Sequence, residues 1–131
     1  MTKDEYKALM GALYKALGAT HGAPNDSVNS FEIGGHSVAV VFDEAHAPDT
    51  LIVLVDVGAS ALSVDRALLE YNAAIPSQAD GMGCYARWPD TGSVVYRTQW
   101  PYTAATKADD VIKVMGQAAT VALAALPAGS H

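Results

Sequence analysis

Two adjacent glycines, Gly34-Gly35, separate two stretches in which apolar and polar residues alternate, and this constrains the fold more than any other feature of the chain. A two-residue glycine turn matches the twist of an antiparallel hairpin. If Ile33 faces His36 across it, Phe31 faces Val38 and Asn29 faces Val40. That register puts Phe31, Ile33, Val38, Val40 and Phe42 on one face, and Ser30, Glu32, Ser37, Ala39 and Val41 on the other. A third stretch, Thr50 to Val57, is apolar on both faces until Asp56, which places it centrally in a sheet. The loop before it, Asp43 to Asp49, is too short for a parallel crossover, so the third strand must return antiparallel.

Helices flank these strands. Thr2 and Glu5 are spaced as a capping box, and Tyr6, Leu9, Met10, Leu13 and Leu17 follow on one helical stripe that Gly18 ends. His21 to Ser27 reads as a loop. Ser63 is a candidate N-cap for a short helix carrying Val64, Leu68, Tyr71 and Ile75, closed by Pro76. Met82 to Trp88 and Ser93 to Trp100 form a second hairpin around Pro89-Asp90-Thr91-Gly92. Thr106 with Asp109 opens a last helix whose stripe runs from Val111 to Leu126. The order α-β-β-β-α-β-β-α gives an α+β fold, a two-layer α/β sandwich with helices on one face of an antiparallel sheet. One domain is expected over residues 1–127, with 128–131 as a tail.

Composition narrows the function classes. The chain of 131 residues is half apolar and only 17% charged, which excludes disorder. A net charge of −6 argues against nucleic acid, whose phosphates need clustered Lys and Arg. One cysteine excludes a disulfide framework or a multi-cysteine zinc site. The start has charges of both signs and no apolar run of a signal peptide, and no stretch approaches the roughly 18 apolar residues of a membrane span. A soluble, cytoplasmic protein is the expectation.

No catalytic constellation emerges. Asp43, Glu44, His46 and Asp49 are all ligand types, but they fall in an irregular loop, where a solvated turn is the simpler account. Cys84, in a strand beside Tyr85, reads as a small hydrophobe rather than a nucleophile. Gly81-Met82-Gly83 lacks the rest of a dinucleotide fingerprint, and no phosphate-binding GxxxxGK[ST] loop exists. No cofactor, metal or enzymatic activity is therefore expected. Tyr85, Trp88, Tyr96, Trp100 and Tyr102 cluster on the last hairpin, either as cross-strand packing or as an interface, with Arg87 and Arg97 available to stack on the rings. The short middle helix is apolar on two sides, with Leu69 and Ala73 off the main stripe. It is either wedged in the core or shared with another subunit.

Several segments together resemble the type III secretion chaperone family that includes the Tir chaperone. They are the opening helix Tyr6 to Gly18, the hairpin Phe31-Glu32-Ile33-Gly34-Gly35 with Val38-Ala39-Val40, the strand Leu51 to Val57, Ala67-Leu68-Leu69-Glu70-Tyr71-Asn72, the turn Pro89 to Val95, and the closing helix Asp109 to Leu126. That closing helix is richer in alanine than is usual for the family. The resemblance implies a homodimer formed through the middle helix and an adjoining strand, with Val64, Leu68, Leu69, Tyr71, Asn72, Ile75 and Tyr85 at the interface. It also implies that the partner is the N-terminal chaperone-binding segment of a secreted effector, held as an extended chain without ATP hydrolysis. The surface expected to take that segment comprises Leu9, Leu13, Tyr14, Phe31, Ile33, Ala39 and Val41. An acidic exterior would favour basic partner segments. The competing expectation is a YbjN-like regulatory domain of the same architecture that binds a folded protein.

Overall fold

The computed structural model describes residues 1–18, 24–59, 83–87, 93–103 and 105–124. In chain order these form α1 (Lys3–Ala16), β1 (Val28–Ile33), β2 (His36–Asp43), β3 (Ala47–Ala59), β4 (Gly83–Arg87), β5 (Ser93–Pro101) and α2 (Ala108–Ala124). The middle helix inferred from Val64, Leu68, Leu69, Tyr71, Asn72 and Ile75 lies outside the described residues, as do Trp88 and the second hairpin's turn.

The five strands pair antiparallel in the order β1-β2-β3-β5-β4, so β3 is central and β1 and β4 are the edges. The first hairpin has the expected register, with Ile33 opposite His36, Phe31 opposite Val38 and Asn29 opposite Val40. Gly34 and Gly35 both take positive φ, 58° and 82°, as the two central positions of a type I′ turn require. Strand β3 begins at Ala47, earlier than the sequence suggested, and shortens the preceding loop to a tight turn. Pro48 is tolerated there because β3 gains its β5 partner only from Thr50 onward.

The ladders stack side chains in rows across the sheet. On one face Phe31, Val38, Val55, Tyr96 and Tyr85 form a row, and Asn29, Val40, Val53, Thr98 and Gly83 form the next. Both helices pack on this face. Tyr6, Leu9, Met10 and Leu13 of α1 and Val111, Met115, Ala118, Ala119 and Ala122 of α2 are buried against it. Each fully buried large aliphatic side chain contributes about 1.5–3 kcal/mol, which makes this layer the main source of stability.

Local chemistry sets the helix ends. Thr2 and Glu5 form the expected capping box, and Lys15 stands in the last turn. The Glu44 carboxylate, from the turn between β2 and β3, also accepts the Lys3 backbone N–H at 3.0 Å. Helix α2 starts later than Thr106 suggested. The Thr106 hydroxyl accepts from the Thr103 N–H at 3.0 Å, whereas Asp110 reaches back to the Lys107 N–H at 2.9 Å and caps the helix.

Candidate partner-binding surface

Row alternation decides which side chains are free to meet a partner. Opposite the helices, Ser30, Ala39, Leu54, Arg97 and Cys84 form one row, flanked by Val41 and Ile52 on one side and Asp56, Val95 and Ala86 on the other. Ala39, Val41, Ile52 and Leu54 are half-buried, and neither described helix packs on them. A hollow of about 240 Å³ opens here between Val28, Ser30, Ala39, Leu54, Asp56 and Val95. Serines and one carboxylate among aliphatic side chains make a surface on which apolar groups can be covered and backbone groups can still hydrogen-bond.

The β1 edge borders this face. Beyond its ladder with β2, the described residues give the β1 backbone one long contact, from the Tyr14 hydroxyl to the Ser30 carbonyl at 3.4 Å. Val28 on this strand is 41% exposed. An edge with unpaired N–H and C=O groups templates the pairing of another chain unless charge, proline or a bulge blunts it. Glu32 is the one charged side chain of β1.

Behind the edge lies a buried polar network. The Tyr6 hydroxyl donates to the Val40 carbonyl at 2.5 Å and accepts from Asn29 Nδ2 at 3.1 Å. Asn29 also donates to the Asn25 carbonyl and accepts the Asn25 N–H, both at 3.0 Å. Burial pushes the Tyr6 phenol up to about 12, against the opposing pull of its bond from Asn29. The Tyr14 ring lies 4.4 Å from that of Phe31, which completes the inner side of the edge.

The residues expected to meet a partner therefore divide. Tyr14, Ile33, Ala39 and Val41 are half-buried along the edge or on the open face. Leu9, Leu13 and Phe31 are 8%, 0% and 6% exposed, packed in the helix–sheet core, where they hold the scaffold rather than meet solvent. Tyr85 is 6% exposed on the inner face, its ring 5.0 Å from that of Tyr96 and its hydroxyl donating to the Ala122 carbonyl. Arg97 is on the sheet face opposite Tyr96 and Tyr85, and its guanidinium donates to Gln99 at 3.3 Å instead of stacking on those rings. The half-buried outer-face residues Ile52 and Leu54 were not singled out from sequence, although the two-sided apolarity of Leu51 to Val55 signals them.

The ionisable cluster of the β2–β3 turn acts locally. His46 Nδ1 lies 2.9 Å from an Asp43 oxygen, and this hydrogen bond holds the Asp43 carboxyl below the usual range. Glu44 is turned to α1, and among the described residues no three His, Cys, Asp or Glu side chains converge as a metal site. Among the same residues no helix is long and apolar enough to cross a membrane.

The sequence matches no protein-family model, and no curated protein is significantly similar to it. The fold matches several solved structures. A chain of the ExoT–SpcS complex from Pseudomonas aeruginosa aligns with a TM-score of 0.59 at 21% identity, over 93% of this chain and 97% of that one. The Yersinia pestis type III secretion chaperone SycH, in complex with a stable fragment of YscM2, aligns at 0.60 and 15% identity over 91% and 98%. A chain of the ExsC–ExsE complex aligns at 0.73 and 14% identity, over 98% and 99%. The two-layer arrangement of helices on one face of an antiparallel five-stranded sheet is thus a fold shared with these structures, that of the type III secretion chaperone SycH in its complex among them.

Proposed function

We propose that the chain is an ATP-independent secretion chaperone, a binding protein and not an enzyme. In this reading it holds the N-terminal chaperone-binding segment of a secreted effector as an extended, non-globular chain and keeps it soluble. The observation that carries the proposal is the open β1 edge beside a half-buried apolar face that neither described helix covers. An extended segment can add to such an edge through backbone hydrogen bonds, with alternate side chains falling on Ile33 and Tyr14 or on Ala39 and Val41. Structures that share the fold hold protein partners, among them SycH with YscM2 and the ExoU–SpcU pair. Ordering a disordered segment costs on the order of 2–5 kcal/mol. At about 25 cal/mol per Å², roughly 200 Å² of buried apolar area offsets the upper figure. A homodimer through residues 64–75 would double the available surface.

Co-purification from the native host, followed by limited proteolysis of the complex, tests this reading. The expected result is an unfolded partner segment that is protease-resistant only while bound, at one segment per chaperone dimer by light scattering. A partner that stays folded in the complex would favour the regulatory alternative, and a chain that binds no protein would overturn both.

A further inference from the structure

A second recess lies on the helix-covered face of the sheet, between the first half of β3, the end of β5 and the first turns of α2. It has a volume of about 280 Å³, and its walls include Leu51, Val53, Trp100, Val111 and Val114, with Asp110 among its lining residues. Its volume is close to the lower bound of the about 300–1,000 Å³ of small-molecule sites, which leaves room for a bulky aliphatic side chain. The same end of the molecule is acidic. The β2–β3 turn brings Asp43, Glu44 and Asp49 there, and the Asp49 carbonyl accepts the Tyr102 N–H at 2.8 Å just beyond β5. The first turn of α2 adds Asp109 and Asp110. The first turn of α1, tied to Glu44, adds Asp4 and Glu5, and these carboxylates outnumber the cations at this end, which are the Met1 ammonium 3.6 Å from Asp49, Lys3 and Lys107. A helix N-terminus ordinarily favours anions, but here it already carries two carboxylates, so an anionic occupant meets like charge.

We propose that this cleft seats one bulky aliphatic side chain of a partner segment whose neighbouring residues are lysine or arginine. The inference deepens the chaperone reading and rests on it for the nature of the partner. The aliphatic walls and the indole of Trp100 hold the anchor by burial, and the surrounding carboxylates select its flanks and speed the encounter. Acidic flanks would place like charges against the rim.

Nuclear magnetic resonance titration of the full chain with three short synthetic peptides tests the assignment. One has a central leucine between lysines, one the same leucine between glutamates, and one a central alanine between lysines. The leucine–lysine peptide should shift the Trp100 side-chain and the Val111 and Val114 methyl signals, and bind about tenfold tighter than either control. Its affinity should fall as salt is raised. Val114→Trp, which fills the cleft from a half-buried position, should abolish those effects. Equal binding of the glutamate-flanked peptide, or shifts confined to the β1 edge, would overturn the proposal, and these peptide results on the unaltered chain decide it even if Val114→Trp folds poorly. If the native partner segment binds the wild-type and Val114→Trp chains equally, the cleft assignment falls and the chaperone reading stands. If no extended partner binds either chain, that reading falls, and the peptide arms still decide what the cleft recognises.

Discussion

Replacing Tyr6 by phenylalanine should destabilise the protein at neutral pH, and the penalty should shrink as the pH is raised. The Tyr6 hydroxyl donates to the Val40 carbonyl and accepts from Asn29 Nδ2, and the residue is 0% exposed. Its removal deletes two hydrogen bonds and leaves Asn29 with one fewer acceptor, for a loss of about 2 kcal/mol. The pH dependence follows from the phenol, which is raised from 10.0 to about 12. Below the unfolded value both states keep the proton, and this contribution to stability is fully present. Between the two values the unfolded chain ionises while the native one does not, so the native state binds more protons and stability falls with rising pH. The slope is about 1.4 kcal/mol per pH unit, close to 3 kcal/mol over the two units. Urea unfolding followed by circular dichroism, on both chains from about pH 8 to about pH 11, isolates the effect, because the other tyrosines and the lysines cancel in the difference. The gap should narrow from about 2 to under about 1 kcal/mol across that range. A constant gap would show that the Tyr6 hydroxyl titrates like an exposed phenol, and the buried network would then be wrong.

Gly83→Ala should detach β4, since an added Cβ would lie 2.1 Å from the Arg97 carbonyl oxygen and 2.8 Å from its carbon, both backbone atoms. A loss of at least about 3 kcal/mol in thermal or urea unfolding is expected, with the fastest amide exchange in residues 83–87. Thr98→Val should raise stability by about 1 kcal/mol, because the Thr98 hydroxyl is buried without a hydrogen-bond partner and valine preserves its shape. An unchanged or lower denaturation midpoint would mean that the hydroxyl is satisfied. Tyr85→Phe should cost about 1–2 kcal/mol and speed amide exchange in the last turn of α2, where the hydroxyl donates to the Ala122 carbonyl. Asp43→Asn should remove the share of the acid-induced stability loss that arises as Asp43 protonates: its lowered carboxyl supports the fold above the ordinary value of 3.8 and ceases to as the pH falls through its native value. Parallel acid titrations of the two chains that never converge would refute this.

What could be read from the residues follows from how local each signal is. The Gly34-Gly35 turn fixed the first register because alternation on either side left one pairing that gathers Phe31, Val38 and Val40 on a single face. The α1 cap was legible for the same reason: Thr2 and Glu5 are three residues apart and answer each other. The start of α2 was not, because Thr106 and Asp110 both have capping chemistry, and the Thr106 hydroxyl is taken up by the Thr103 N–H in a turn that precedes the helix. The surface was harder. An amphipathic stripe such as Leu9 and Leu13 signals that something must be covered, but does not say whether the chain's own sheet or a partner covers it. The two-sided apolarity of β3 did point to an apolar outer face, which Ile52 and Leu54 supply. The cleft at Trp100 was invisible in sequence, since its walls come from residues as far apart as Leu51 and Val114.

The alanines of α2 have a consequence for how this chain can change. Beyond Met115, the buried positions Ala118, Ala119 and Ala122 of the helix carry only a methyl group each, which leaves nothing at those three points to adjust. A larger residue at any of these positions cannot be accommodated by a rotamer hop and must instead displace the whole rod. Tyr85 grips the Ala122 carbonyl and opposes that displacement. Evolutionary drift in this helix is thereby channelled to its outward positions, Lys113, Gln117, Thr120 and Val121, where new contacts can be acquired without disturbing the scaffold beneath.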